Sequence, residues 1–158
     1  MATEIERKFL VTSDAWRDGP EGVRICQGYL CRDEERTVRV RTKGDKGFLT
    51  IKGSTEGVSR TEFEYPIPLD EAKLLLEMCL PSLLDKTRYE RRLGGHCWEV
   101  DEFHGENEGL IVAEIELEKE DTEFEKPDWV GQEVSDDPRY YNACLTEHPW
   151  PEWGRSAT

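Results

Sequence analysis

Cations and carboxylates recur at every second residue along much of this chain. Glu4, Glu6 and Lys8 alternate with Ile5 and Phe9, and Arg39, Arg41 and Lys43 alternate with Val38, Val40 and Thr42. Lys52 falls out of phase with Leu49 and Ile51, and Glu62 and Glu64 with Phe63 and Tyr65. Lys86, Arg88, Glu90 and Arg92 share one parity, as do Glu99 and Asp101; Glu114, Glu116 and Glu118 oppose Ala113, Ile115 and Leu117. In an extended strand such spacing places each set on one face. Several Arg and Lys spread over different strands suit an extended oxyanion, with Arg favoured for paired oxygens. Carboxylates without neighbouring His or Cys suit a hard divalent cation such as Mg²⁺ or Mn²⁺. The three histidines, His96, His104 and His148, fall near turns or in the tail, which argues against a zinc or histidine-based site.

A half-exposed antiparallel sheet also shows charge opposite apolar residues. Segregation by sign sets this chain apart, because like charges on one face repel. That repulsion becomes tolerable if the cationic strands face an anion and the acidic strands face metal ions. A closed sheet with its charged faces inward and its apolar faces covered achieves both. Such a lumen must be wet or ion-filled, since unpaired charge cannot be buried cheaply.

The elements that would carry these faces are strands over 3–11, 24–31, 36–43, 47–53, 60–67, 84–93, 97–104 and 110–119. Turn residues separate them, among them Lys43-Gly44-Asp45 and the Gly94-Gly95 pair, a hairpin signal. Residues 69–79 (LDEAKLLLEMC) carry an amphipathic helical stripe with Asp70 as the expected N-cap. A second helix is expected from Asp137-Pro138 through Leu145, followed by an irregular tail. No repeat, low-complexity run or linker divides the chain, so residues 1–158 read as one domain. The fold class is α+β, mainly β: an eight-stranded antiparallel closed barrel with a charged lumen and helices outside.

Length and charge bound the partners. The chain has 158 residues, 21 Lys and Arg against 35 Asp and Glu, and a formal net charge of −14. Nucleic acid and anionic membrane surfaces would be repelled at long range, whereas a small anion in a locally positive cavity is admitted. No apolar run is long enough to span a membrane, and the N-terminus lacks a signal-peptide core. Five cysteines without a C-x-x-C pair indicate reduced thiols and a cytoplasmic protein. A homodimer stays open.

The segment Glu4-Ile5-Glu6-Arg7-Lys8 resembles the E-x-E-x-K signature of the CYTH superfamily, the triphosphate tunnel metalloenzymes. Arg39-x-Arg41, Lys52, Glu62-x-Glu64, Lys86-x-Arg88, Asp101 and Glu114-x-Glu116 follow in order. The short length and Gln27-Gly28-Tyr29-Leu30 are most similar to the small bacterial tripolyphosphatase-type members. The resemblance implies that Lys8, Arg39, Arg41, Lys52 and Arg88 contact polyphosphate and that Glu4, Glu6, Asp101, Glu114 and Glu116 hold the metal. Glu62, Glu64 and Glu99 then support the metal ligands from behind or pair with lumen cations. Lys86, itself a further phosphate contact, and Tyr29 are candidates for proton handling. The resemblance also implies that the helix near 137–146 closes one tunnel end. The leading activity is metal-dependent hydrolysis of inorganic tripolyphosphate to pyrophosphate and phosphate. The alternatives are hydrolysis of an organic triphosphate (thiamine triphosphate or a nucleotide), a class IV adenylate cyclase, or a non-catalytic polyphosphate-binding module. The acidic set disfavours the last, because a pure anion binder gains nothing from added negative charge.

Overall fold

The alternating runs form nine strands: β1 (Ala2–Val11), β2 (Val23–Arg32), β3 (Arg36–Lys43), β4 (Lys46–Glu56), β5 (Ser59–Ile67), β6 (Leu84–Leu93), β7 (His96–Phe103), β8 (Ile111–Glu116) and β9 (Val130–Glu133). The computed structural model describes residues 2–56, 58–80 and 83–150, and the side chains of residues 2–4, 143 and 147 lie outside that description. Strands neighbour one another in the order β5-β4-β3-β2-β6-β7-β8-β1, every pair antiparallel, and β1 pairs back onto β5. That last pairing, with Glu4 opposite Arg60 and Ile5 opposite Ser59, closes the eight-stranded barrel. Closure removes the free edges that an open sheet would present.

β9 was not expected. It takes up the part of β1 that β5 does not reach, with Phe9 opposite Glu133 and Val11 opposite Val130. β8 stops at Glu116, so Glu118 falls outside the strand, and the Leu117 amide instead donates to Ile5 O at 2.7 Å. Gly94 and Gly95, at φ 59° and 81°, both occupy left-handed conformations that a two-residue hairpin turn requires and side chains resist. They set the β6–β7 register from Leu93 opposite His96.

Helices cover the barrel less than expected. α1 (Leu69–Glu77) packs on β3 and β4, with Ala72 against Gly47 so closely that a Cβ at Gly47 would lie 2.7 Å away. Its N-cap is Pro68, not Asp70; Asp70 and Glu71 sit in the first turn, where their charge meets the positive end of the helix dipole. The opposite outer face is covered by irregular chain. Phe9, Trp98, Val100, Ala113 and Ile115 are buried there beneath Trp16, Phe124 and Trp129. Trp98 makes edge contacts with Phe9, Phe124 and Trp129 at 5.5, 5.7 and 6.0 Å. Each such large side chain contributes roughly 1.5–3 kcal/mol by burial, so the dominant apolar core lies outside the barrel.

The second helix is divided. Asp137 caps as expected, accepting from the Arg139 amide, but Pro138–Tyr140 form only one 3-10 turn. Tyr141 is extended (φ −71°, ψ 138°), and α2 (Asn142–Glu147) begins after it. Leu145 of α2 is buried with Leu84, Phe103, Leu110 and Val112 at one barrel end. None of the five cysteines forms a disulfide among the described residues, and no helix there is long and apolar enough to cross a membrane.

Candidate active site

Strand alternation turns Glu6 and Lys8 of β1, Gln27 and Tyr29 of β2, and Arg39 and Arg41 of β3 toward the lumen. Thr50 and Lys52 of β4, Glu62 and Glu64 of β5, and Lys86 and Arg88 of β6 join them. Glu99 and Asp101 of β7 with Glu114 and Glu116 of β8 complete the ring. Lys8, Tyr29, Arg39, Arg41, Lys86, Asp101 and Glu114 are buried, an unusual density of charge for a protein interior. Glu4 lies on β1 opposite Arg60, and its side chain is outside the described residues.

On the β6–β7–β8–β1 side, each lumen cation has a carboxylate within 2.7–2.8 Å. Lys86 Nζ donates to Asp101 Oδ2 at 2.8 Å. Arg88 grips the same carboxylate through Nε and Nη2 at 2.8 and 2.9 Å and reaches Glu99 through Nη1 at 3.2 Å. Lys8 Nζ donates to Glu114 Oε1 at 2.7 Å and lies 3.5 Å from Glu6. Register causes this pairing: Arg88 stands opposite Asp101, and Lys8 opposite Glu114.

Burial would lift the Asp101 carboxyl, but Arg88 and Lys86 outweigh it and hold the group well below the usual carboxylate range. For Lys8 likewise burial is outweighed, here by Glu114 and Glu6, and its ammonium is held above the ordinary lysine value. Lys86 goes the other way. Burial, aided by the neighbouring Arg88 charge, exceeds the attraction of Asp101 and brings it down to about 8. Glu99 is raised, by burial first and then by Glu114 and Asp101, against the pull of Arg88.

The β2–β3–β4–β5 side is held more loosely. Arg39 Nη2 lies 3.4 Å from Thr50 Oγ1 and 3.8 Å from Glu64. Arg41 Nη2 donates to Glu64 at 3.2 Å, and Lys52 Nζ lies 3.6 Å from Glu62. Among the described residues, the buried Nε groups of Arg39 and Arg41 have no hydrogen-bond partner, nor has either amide atom of Gln27. Burial and repulsion from Arg39 and Arg88 lower Arg41 to about 10. A cavity of about 760 Å³ opens against this side, lined by Lys8, Tyr29, Arg39, Lys52 and Glu6 together with Arg60 and Tyr141. Such a site is complementary to an anion with many oxygens.

Glu62, Glu64 and Glu99 are thus partners of Lys52, Arg41 and Arg88. Among the described residues, which leave out the Glu4 side chain, no three Asp, Glu, His or Cys side chains come together as a metal cluster. Register pairs Asp101 and Glu114 with cations. Glu6 and Glu116 stand opposite each other across β1 and β8, beside Glu114. Their oxygen-only donors, and the raised Glu99 nearby, fit a hard divalent cation in chemistry.

Residues not singled out from the sequence also reach the site. Thr50 is fully buried and donates to Glu64 at 3.0 Å. Arg60 lines the cavity and holds Gly53 O at 2.7 Å. Both share strand parity with Lys52 and Glu62, so the alternation itself was the available signal. Tyr141 comes from the far end of the chain, within the segment that the resemblance placed at one tunnel end, though no role was assigned to it there.

Comparison with known proteins adds ancestry to this geometry. The CYTH domain family model matches residues 2–141. An inorganic triphosphatase of Acetivibrio thermocellus is 50% identical over 151 residues, covering 95% of this chain and 97% of that protein. An inorganic triphosphatase of Nitrosomonas europaea is 38% identical over 148 residues, covering 90% and 96%. The crystal structure of the inorganic triphosphatase NE1496 superposes with a TM-score of 0.66 at 36% identity, covering 92% of this chain and 95% of that one.

Proposed function

The chain belongs to the CYTH domain family, and on that footing we propose that it hydrolyses inorganic tripolyphosphate to pyrophosphate and phosphate with Mg²⁺ or Mn²⁺. The observation that carries this reading is the asymmetry of the lumen, in which buried guanidinium groups on β3 lack full partners. The names of the two relatives, both inorganic triphosphatases, point the same way.

In this reading Arg39, Arg41 and Lys52 bind the phosphate oxygens, with Lys8, Lys86 and Arg88 completing the positive surround. Phosphoryl transfer is chiefly a problem of positioning and of neutralising charge on the departing group, which these cations address without moving far. Glu4, Glu6, Asp101, Glu114 and Glu116 would hold the divalent cation, which when bound would neutralise phosphate charge and acidify water. Lys86, with its ammonium brought down to about 8, exchanges a proton near physiological pH and can serve the reacting oxygen. Tyr29, buried on the cavity wall, orients the same region. The segment near 137–146, anchored by Leu145, closes one end of the tunnel, and the whole chain works as one domain in the cytoplasm.

The test is phosphate release from tripolyphosphate, pyrophosphate, ATP and thiamine triphosphate, each with Mg²⁺, with Mn²⁺ and with EDTA. Tripolyphosphate should be the fastest substrate, and EDTA should abolish turnover reversibly. Faster release from an organic triphosphate would replace the substrate assignment, and turnover in EDTA would overturn the role given to the carboxylates.

A further inference from the structure

Gln27 has no place in the pairing that organises the rest of the lumen. It is fully buried, yet neither its amide nitrogen nor its amide oxygen has a hydrogen-bond partner. Among the described residues, the other buried side-chain polar atoms without partners belong to Arg39 and Arg41, or to Trp16, Arg91, His96 and Trp98 on or beside the outer apolar jacket. Gln27 shares the lumen parity of Tyr29 and stands opposite Arg41 on β3 and Leu84 on β6. Leu84 belongs to the apolar cluster around Leu145, so Gln27 sits where the charged lumen meets its apolar end.

Burying an amide with both ends unsatisfied is unfavourable, and an apolar side chain of the same length would relieve it. A phosphoryl group arriving in the lumen would satisfy both ends of the amide. We propose that Gln27 is a specificity-determining substrate ligand, whose amide hydrogen-bonds the phosphoryl group held by Arg39 and Arg41. A neutral donor suits this position. Arg39 and Arg88 already repel Arg41, so a further cation would raise that repulsion. An amide also offers an acceptor beside its donor, which matches a phosphoryl group carrying a proton on one oxygen. A carboxylate there would repel the substrate and divert Arg41.

The inference rests on the tripolyphosphatase reading, and the experiment separates the two. Wild-type turnover of tripolyphosphate with Mg²⁺ tests the reading; the Gln27 variants, compared with wild type, test the inference. Gln27→Met removes both polar atoms while keeping the length. The expected result is an apo protein that melts at or above the wild-type temperature, with kcat/KM for tripolyphosphate lower by about tenfold or more, as for one lost bond to a charged group. Gln27→Glu should lose more than Gln27→Met. A melt of each protein with tripolyphosphate in EDTA supplies a readout independent of turnover, and Gln27→Met should show a smaller ligand-induced rise than wild type. The inference is overturned if Gln27→Met lowers the apo melting temperature, which would make the glutamine structural. Wild-type kcat/KM together with a wild-type ligand-induced rise would overturn it equally.

Discussion

The two sides of the lumen use the same residue types and treat them differently. On β6, β7, β8 and β1, Asp101 serves Lys86 and Arg88 at 2.8–2.9 Å, and Glu114 serves Lys8 at 2.7 Å. On β3, β4 and β5 Arg41 lies 3.2 Å from Glu64, Lys52 3.6 Å from Glu62 and Arg39 3.8 Å from Glu64, and two buried Nε groups have no partner among the described residues. A buried charge without its counter-ion is costly, so the first side must hold its pairs whether or not substrate is present. The second side keeps donors that an arriving anion can use. The lesson is that binding capacity in this barrel resides in incomplete pairing, and the count of cations alone does not locate it.

The largest effect should come from the saturated side. Asp101→Asn strips the shared counter-ion from Lys86 and Arg88, which are both largely buried. Loss of one partner from such a network costs about 3–5 kcal/mol, and urea denaturation should register it together with loss of turnover. A change below about 1 kcal/mol, the range of exposed pairs, would erase the contrast between the sides.

Next come Arg39→Ala and Arg41→Ala on the loose side. Each should lower kcat/KM for tripolyphosphate about 10- to 150-fold, the worth of roughly 1.5–3 kcal/mol for a bond to a charged group. Apo stability should hardly move, because little pairing is lost. Steady-state kinetics beside thermal melts check both halves, and a variant that unfolds while retaining kcat/KM would reverse the assignment.

A subtler separation uses Glu116→Gln. Glu116 faces Glu6 across β1 and β8, so removing one of two like charges should leave the apo melting temperature equal or raised. Added Mg²⁺ should then stabilise the variant less than wild type. An equal Mg²⁺-induced rise would take Glu116 out of the metal site.

The smallest effect belongs to an ion pair outside the lumen. Arg7 and Glu133 join β1 to β9 at 2.5 Å with both side chains about a third exposed. Glu133→Gln should cost less than about 1 kcal/mol and less still at high salt. The Arg7 hydrogen bond holds the Glu133 carboxyl below its ordinary value. Its contribution is therefore complete above about pH 4.3, the unfolded value, and fades as pH falls through the lowered folded one. Urea melts of both proteins from pH 7 to 3 should converge at the acid end.

Much of this architecture could be read in advance, and the failures have identifiable causes. All eight barrel strands announced themselves, seven of them by the alternation of charged and apolar residues. The Gly94-Gly95 turn also contained the β6–β7 register: counting outward from Leu93 and His96 puts Arg88 opposite Asp101. β9 escaped because Val130–Glu133 is four residues long and is made a strand only by β1, more than a hundred residues away. The helix expected across 137–145 broke at Tyr141, whose hydroxyl is drawn back to Ser135 O at 3.2 Å. Gln27 looked like one polar residue among many, since a missing partner is a property of the surroundings and leaves no mark on composition.

Which residues face the lumen was determined by sequence alone, because the two-residue period belongs to the extended backbone and needs no partner to express it. What each lumen residue does was decided by tertiary structure. Lys8 and Lys86 are both buried lysines with a carboxylate at hydrogen-bond distance. Lys8, between Glu114 and Glu6, is held above the ordinary lysine value, whereas Lys86, sharing Asp101 with Arg88, falls to about 8. Their difference arises from charges on neighbouring strands, and electrostatic energy depends on distances through space that only closure of the barrel sets.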